Sequence, residues 1–396
     1  MFSALEGILV LDLTRVLAGP FCTMQLADLG ARVIKIETPR QGDDARAYGP
    51  FLNGESIYFA SLNRNKESLV LDLKSEAGRQ IFLRLVELAD ILVENFRPGT
   101  MDNLGLGYSR LRDLNNRLIY AACSGFGQTG PYRHKPAYDV IVQAMGGVMS
   151  LTGQPGGEPT RVGASIGDIT AGLYTTIGIL AALRACDRTG LGQLVDVGMM
   201  DCQVAILENA IARFEATGEV PRGIGNRHPS ITPFTSVKAR DADLVVAAGN
   251  DALWRKLCQA TGRQDLEKDP RFSTNEQRTQ NAEVLGRILG EVFASRTRAE
   301  WLSVLEGAGV PSGPINTVAD IMSDPQVEAR QMIVEVDLPA AGPVRLAGSP
   351  LKLSGHPSQD SRPSPSLGQH TRPILRDLLG LSDVEIDRLA EKGVIG

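Results

Sequence analysis

Residues 161–185, RVGASIGDITAGLYTTIGILAALRA, deliver one carboxylate, Asp168, from a glycine-bracketed loop (163–167) to the mouth of an apolar segment. Two chemistries fit that placement. A carboxylate at a helix start caps free amides, which together with the helix dipole keep it ionised. Ionised and desolvated near a thioester, the same group attacks as a covalent nucleophile. The glycines beside it let a carbonyl approach backbone N–H groups that could hold an oxyanion. The segment after it is apolar nearly all round, with Gly172 and Gly178 permitting close approach, so as a helix it is expected to be buried.

Two neighbouring motifs compete for the chemistry. GASIG (163–167) matches the nucleophile elbow G-x-S-x-G with Ser165 as the serine, and His228, His356 or His370 could complete a triad. The elbow needs a strand directly before it, and EPTRV is a poor one. GFGQTG (125–130) matches G-x-G-x-x-G after a strand, but PYRHKPAY, which follows, is no apolar-periodic helix, so a tight glycine turn is the better reading. The four histidines (134, 228, 356, 370) sit singly and no Cys/His spacing occurs, so no metal site is expected. Arg15, Arg40, Lys74 and Arg97 each fall just past a strand. In a parallel sheet those ends share one edge, where four cations would suit a polyanionic ligand; singly, each is also what a solvated loop carries.

Alternating patterns position these groups. Strands are expected at 8–13, 32–37, 68–73, 91–93, 118–122 and 193–197. Helices fall between them, from Pro20 to 29, over 76–88 behind a Ser75 cap, and over 108–114. This is an α/β domain with a parallel sheet. One apolar-periodic helix is expected over 199–217, and a loop at 222–233 looks like a domain crossing. A smaller α/β domain follows, with a strand at 244–249 and helices at 251–261, 279–294 and 298–307. A strand at 344–346 and a Pro/Ser-rich connection at 354–367 lead to a last helix with a capping box at 382–385.

The 396 residues exceed what one core usually serves. A 43% hydrophobic content describes a globular chain, and a net charge of −5 argues against nucleic acid or an anionic membrane as partner. Five scattered cysteines, never in CxxC spacing, fit reduced thiols. The first residues lack a signal-peptide pattern, so a cytoplasmic location is expected.

Spread over the whole length are LDLTRVLAGP (11–20), VIKIETP (33–39), GDDAR (42–46), LNRNKESLVLDLK (62–74), VENFRPGTMDNLGLGY (93–108), SGFGQTGPY (124–132), YDVIVQAMGG (138–147), GDITAGLY (167–174), GVPSGPINT (309–317) and LGQHT (367–371). In order and spacing these pieces resemble the class III coenzyme A transferases. The resemblance implies transfer of coenzyme A (CoA) from an acyl-CoA thioester to a free carboxylic acid, with the nucleophile on Asp168 and no permanently bound cofactor. It implies CoA contacts at Val16, Ala18, Leu71, Lys74, Asn95 and Phe96. Arg15 stands where formyl-CoA transferases carry histidine. Two of their arginines fall on Thr38 and Asn103, with Arg40 two places on as a substitute for the first; Arg97 completes the cationic rim. Substrate contacts fall on Tyr138, on Arg46 or Arg15 as partner of a second carboxylate, and on Gly225 in GIGNRH (223–228), a reduced form of the family's glycine-rich loop.

Further pieces, SITPF (230–234) and VVAAGN (245–250), are most similar to the branch acting on succinyl-CoA and glutarate. The family's architecture implies an interlocked homodimer with a large domain built from 1–222 and 331–396 and a small one from 223–330. Racemases of the same fold use a histidine in a G-H-D segment; here Ala137, Tyr138 and Asp139 stand there, so two-base proton exchange lacks its base.

Overall fold

A computed structural model describes residues 3–355 and 361–396. His356 and the centre of the Pro/Ser-rich connection lie outside the described residues. The chain divides into two compact units, one of residues 1–148, 161–212 and 326–396, the other of residues 149–160 and 213–325. Residues 149–160 and 213–222, assigned above to the large domain, thus cluster with the second unit, and 326–330, assigned above to the small domain, with the first.

The first unit is built on six parallel strands: β1 (Leu9–Asp12), β2 (Arg32–Glu37), β3 (Glu67–Val70), β4 (Ile91–Glu94), β5 (Ile119–Ser124) and β6 (Leu194–Gly198). Their spatial order is β3-β2-β1-β4-β5-β6, all pairs parallel. The near-continuous apolar runs of β1, β4 and β5 reflect burial on both faces. The order reverses direction between β1 and β4, and a crevice at such a switch point, outside the carboxyl ends of the strands, is where open α/β sheets bind ligands.

Helix α1 (Ala18–Asp28) starts two residues before Pro20. Proline fits in the first turn because its missing N–H would have no partner there. Helix α2 (Glu76–Leu88) is capped by Ser75, whose Oγ accepts the Gly78 N–H at 3.0 Å. Helices α3 (Asp139–Met145) and α4 (Ile166–Thr189) follow. The chain end returns to this unit, where Ile374, Leu375, Ile386 and Val394 complete the core under α2. The expected helix 199–217 is two helices, Met199–Ala205 and Ala210–Thr217; between them Glu208 has φ 56°, which no helix tolerates.

Nor is α4 buried all round. Its inner side, with Thr175, Ile179 and Ala182, packs on the sheet, while Leu173, Tyr174 and Ile177 are 44%, 41% and 60% exposed. Both of its glycines do what close packing requires. A Cβ on Gly172 would stand 2.7 Å from the Ala18 carbonyl oxygen, and one on Gly178 would stand 2.6 Å from Val195.

The second unit has three antiparallel strands, β7 (Phe234–Lys238), β8 (Asp243–Ala247) and β9 (Ser312–Pro314), with β8 central. Trp254, Trp301 and Phe293 anchor its separate core. The expected helix 279–294 begins later, as Ala282–Phe293, behind a short helix Asn275–Gln280.

Candidate active site

The loop after β1 is held from below by buried ions. Asp12 accepts the Thr14 N–H at 2.8 Å and the Thr23 hydroxyl at 2.6 Å, and pairs with Lys66 at 3.1 Å. Burial alone would raise its carboxyl; Lys66 and Lys35 outweigh burial and hold it below the usual carboxylate range. Lys66 itself is pushed down to about 8, chiefly by burial. Lys35 Nζ donates to the Thr14 carbonyl at 2.8 Å and pairs with Asp43 at 2.8 Å. Asp43 in turn accepts the N–H groups of Ala45 at 2.9 Å and Val16 at 3.0 Å. Val16 needs that support, because a β-branched residue at φ 66° is strained.

The other side of the switch point comes from the loop after β4. Arg15 and Asn95 bond twice, Arg15 N–H to Asn95 Oδ1 at 2.9 Å and Asn95 Nδ2 to the Arg15 carbonyl at 2.8 Å. The Arg15 guanidinium lies 5.5 Å from the centre of the Phe96 ring. Glu94, buried at the end of β4, accepts the Phe96 N–H at 2.7 Å, and burial pushes its carboxyl up to about 7. Arg15, Val16, Asn95 and Phe96 are therefore one cluster, and Gly172 joins Ala18 to it through α4.

Not every expected position joins. Arg40, Lys74 and Arg97 are exposed and form no ion pair among the described residues. The Leu71 side chain is core, while its N–H bonds the Glu37 carbonyl at 2.9 Å. Arg46 is committed elsewhere. Its Nε and one terminal nitrogen each reach Glu37 at 2.7 Å, and the guanidinium stacks 3.8 Å above Phe59. That correction leaves Arg15, with its side chain 38% exposed, as the accessible cation of the two. Gly225 belongs to the second unit, where its N–H bonds the Gly153 carbonyl at 2.8 Å.

Asp168 is the third residue of α4, not its cap. The cap residue, Ser165, makes no side-chain capping bond, and the helix-start amide of Gly167 donates instead to Asp139 Oδ1 at 2.8 Å. Asp139 is further held by Gln143 Nε2 at 2.8 Å and Arg161 at 3.6 Å. Asp168 has no hydrogen-bond or ion-pair partner among the described residues. The expectation that amides keep it ionised therefore fails: burial, and after it the Asp139 carboxylate, push Asp168 up to about 7. Tyr58 belongs to the same setting, its hydroxyl pushed to about 12 by burial and then by the Asp168 carboxylate. Tyr48 packs edge-on to Tyr58 at 5.7 Å, and Tyr138, beside Asp139, is 72% exposed. Sequence reasoning passed over Tyr58 entirely. It touched Asp139 only as a neighbour of Tyr138, although an acid opening a short helix in YDVIVQAM is a readable capping signal.

The rival motifs find no support. No strand precedes Ser165. His134 accepts from Arg133 at 2.9 Å and His370 from the Ser68 N–H at 3.2 Å, neither bonded to a serine hydroxyl. The 125–130 loop is closed by Asp196, which takes the Gln128 N–H at 3.1 Å. No group of three His, Cys, Asp or Glu side chains among the described residues is placed to hold a metal ion.

An accessible Arg15 at the switch point and a half-buried carboxylate without a side-chain partner suit covalent chemistry on an anionic substrate. Residues 5–371 match CoA-transferase family III. The chain is 48% identical over 374 residues to the acetyl-CoA:oxalate CoA-transferase of Acetobacter aceti, covering 94% of this chain and 95% of that one. It is 40% identical to the succinyl-CoA:glutarate CoA-transferase of Mus musculus, covering 99% and 90%. It is also similar to the crystal structure of a CAIB/BAIF family protein from Brucella suis, with TM-score 0.85, 39% identity and coverage of 96% and 100%. The chain belongs to CoA-transferase family III, and it is a CoA-transferase that moves CoA from an acyl-CoA to a carboxylic acid.

Proposed function

We propose that this enzyme transfers CoA between dicarboxylic acids through a covalent thioester on Asp168. The observation that carries the reading is the Asp168 carboxylate itself, half-buried and without a side-chain partner among the described residues, near the Asp139 carboxylate and Tyr58. A carboxylate held by no hydrogen bond keeps its lone pairs for attack. Ionised Asp168 attacks the thioester carbonyl, the C–S bond breaks, and a mixed anhydride and CoA thiolate form. The thiolate attacks the aspartyl carbonyl and releases the donor acid. The acceptor carboxylate then attacks the aspartyl thioester, expelling the CoA thiolate and forming a second mixed anhydride. The thiolate attacks the new acyl carbonyl, breaking that anhydride and restoring the Asp168 carboxylate. Overall one carboxylic acid replaces another in the same kind of thioester, so the exchange is nearly isoenergetic and no external energy source enters.

CoA is assigned to the loops of Val16–Ala18 and Asn95–Phe96, with its phosphates drawn to Arg40, Lys74 and Arg97. The relatives named for oxalate, glutarate and mesaconate all take two-carboxylate acids. Arg15 is the cation we assign to the second carboxylate. A homodimer is supported by the apolar stripe Leu173, Tyr174 and Ile177, which an isolated chain leaves in water. Five free cysteines suit a reducing compartment such as the cytoplasm.

The test is incubation with succinyl-CoA followed by hydroxylamine or borohydride, with mass analysis of the peptide containing Asp168. A modification confined to Asp168 is expected. Transfer that persists in Asp168→Ala sinks the mechanism. A panel of acceptor acids with succinyl-CoA as donor reads the specificity, and light scattering reads the oligomer.

A further inference from the structure

We infer that the second unit carries a binding site of its own for an anion with an apolar body, of the medium-chain carboxylate kind. A cavity of about 460 Å³ lies along β7 and the helix Ala282–Phe293, in the size range of small-molecule sites. Three cations line it, Arg213, Arg227 and Lys238, and no aspartate or glutamate does. In a chain of net charge −5 that local balance runs against the whole. None of the three has a carboxylate partner among the described residues. Arg213 and Arg227 are half-buried, and the Nε of Arg213 is enclosed with no acceptor at all.

A half-buried guanidinium loses water and gains nothing unless an acceptor replaces it. A carboxylate supplies that acceptor in the geometry arginine fits best. His228 adds a donor of the same sense. Its Nδ1 accepts the Ser230 N–H at 3.1 Å, which puts the proton of the neutral ring on Nε2.

Ile224, Ile231, Leu285 and Leu289 supply apolar lining, interspersed with the hydroxyls of Thr232, Thr235, Ser236 and Thr279. Gly286 and Gly290, one helical turn apart, also line the cavity, and a Cβ on either would meet nothing within 4 Å. Glycine at two positions of a helix costs stability, and here it leaves open space in place of side chains. Cations together with apolar side chains in one cavity select an amphiphilic anion over phosphate or a neutral alcohol. Arg213, Lys238 and Gly286 lie outside every position assigned to CoA transfer.

The experiment is calorimetric titration of the full-length protein with octanoate, octan-1-ol and inorganic phosphate, repeated on Lys238→Glu and Gly286→Leu. Octanoate is expected to bind one site per chain, with the alcohol and phosphate weaker by about tenfold or more, the scale of one charge-assisted hydrogen bond. Lys238→Glu should weaken octanoate by a similar factor. Gly286→Leu, which favours the helix and fills the cavity, should abolish octanoate binding and leave CoA transfer unchanged. Octanoate binding that survives Gly286→Leu places the ligand elsewhere and overturns the proposal. Equal binding of the alcohol, binding of phosphate alone, or no binding of octanoate overturns it too.

Discussion

Asp139 takes the Gly167 amide at 2.8 Å, and by doing so it both starts the helix of Asp168 and sets a second negative charge near it. One acid caps and the other is left free. The division matters because a carboxylate that caps is stabilised as an anion, whereas one that is buried and unbonded is destabilised as an anion and more reactive.

The first consequence concerns Asp168→Asn. Loss of a covalent nucleophile is expected to lower kcat/KM by about 10⁴-fold or more. Stability moves the other way. The folded-state pKa of Asp168, about 7, lies above its ordinary 3.8, so its contribution to stability is full below pH 4 and is lost as pH rises through 7. Urea unfolding of wild type and variant should therefore diverge from pH 4 to pH 8 in favour of the variant. A constant difference across that range would contradict the burial argument.

Activity should follow the same group. Only ionised Asp168 attacks, so kcat/KM should climb with pH and level off above a midpoint of about 7. Asp139→Asn removes the smaller cause of the raised pKa and keeps an oxygen for the Gly167 amide. Its expected signature is a midpoint shifted to lower pH with the helix intact by circular dichroism. A midpoint that stays in place would mean that burial alone sets it.

Glu94 offers a control with no nucleophilic role. Burial raises it to about 7, so it too stabilises the protonated protein and loses that contribution between pH 4.5 and 7. Glu94→Gln keeps an acceptor for the Phe96 amide and should raise the melting temperature at pH 8 while leaving it unchanged at pH 4.5. A drop at pH 8 would show that the anion is needed.

Much of the frame was legible in the residues. The strand at 32–37, the helices at 76–88 and 108–114 and the Ser75 cap follow from local periodicity and a hydroxyl before an apolar run, and they lie where expected. The break at Glu208 was not legible, because a left-handed residue other than glycine leaves no local mark. The burial of α4 was overread for a related reason. Composition counts apolar residues, but it cannot say whether Leu173 and Ile177 face the chain's own core or something outside it.

The site divided in the same way. Asp168 stood out by its setting at the mouth of an apolar segment and Arg15 by its place after a strand, while Asn95 and Phe96 came only with the family resemblance. The role of Arg46 depended on Glu37, nine positions back at the end of β2, and only the fold of the loop between them brings the two to 2.7 Å. Assigning the free cap position to Asp168 failed because its competitor, Asp139, is 28 residues distant along the chain.

Val16 gives the sharpest test of how the crevice is held. At φ 66° its backbone is strained by about 1–3 kcal/mol, and the bond from its N–H to Asp43, backed by Lys35, keeps it there. Val16→Gly removes the strain but also the rigidity, since glycine reaches both signs of φ equally. Stability is expected to hold or to rise by up to about 1 kcal/mol, the strain relieved being partly offset by the freer unfolded chain. The KM for the acyl-CoA should rise several-fold, because the loop must then be ordered on binding. Asp43→Asn should act more harshly. It leaves the buried Lys35 ammonium without its nearest anion, at a cost of about 3–5 kcal/mol. Thermal melts and initial rates on the two variants separate strain from support: an unchanged KM in Val16→Gly would mean that the left-handed turn serves folding and not the crevice.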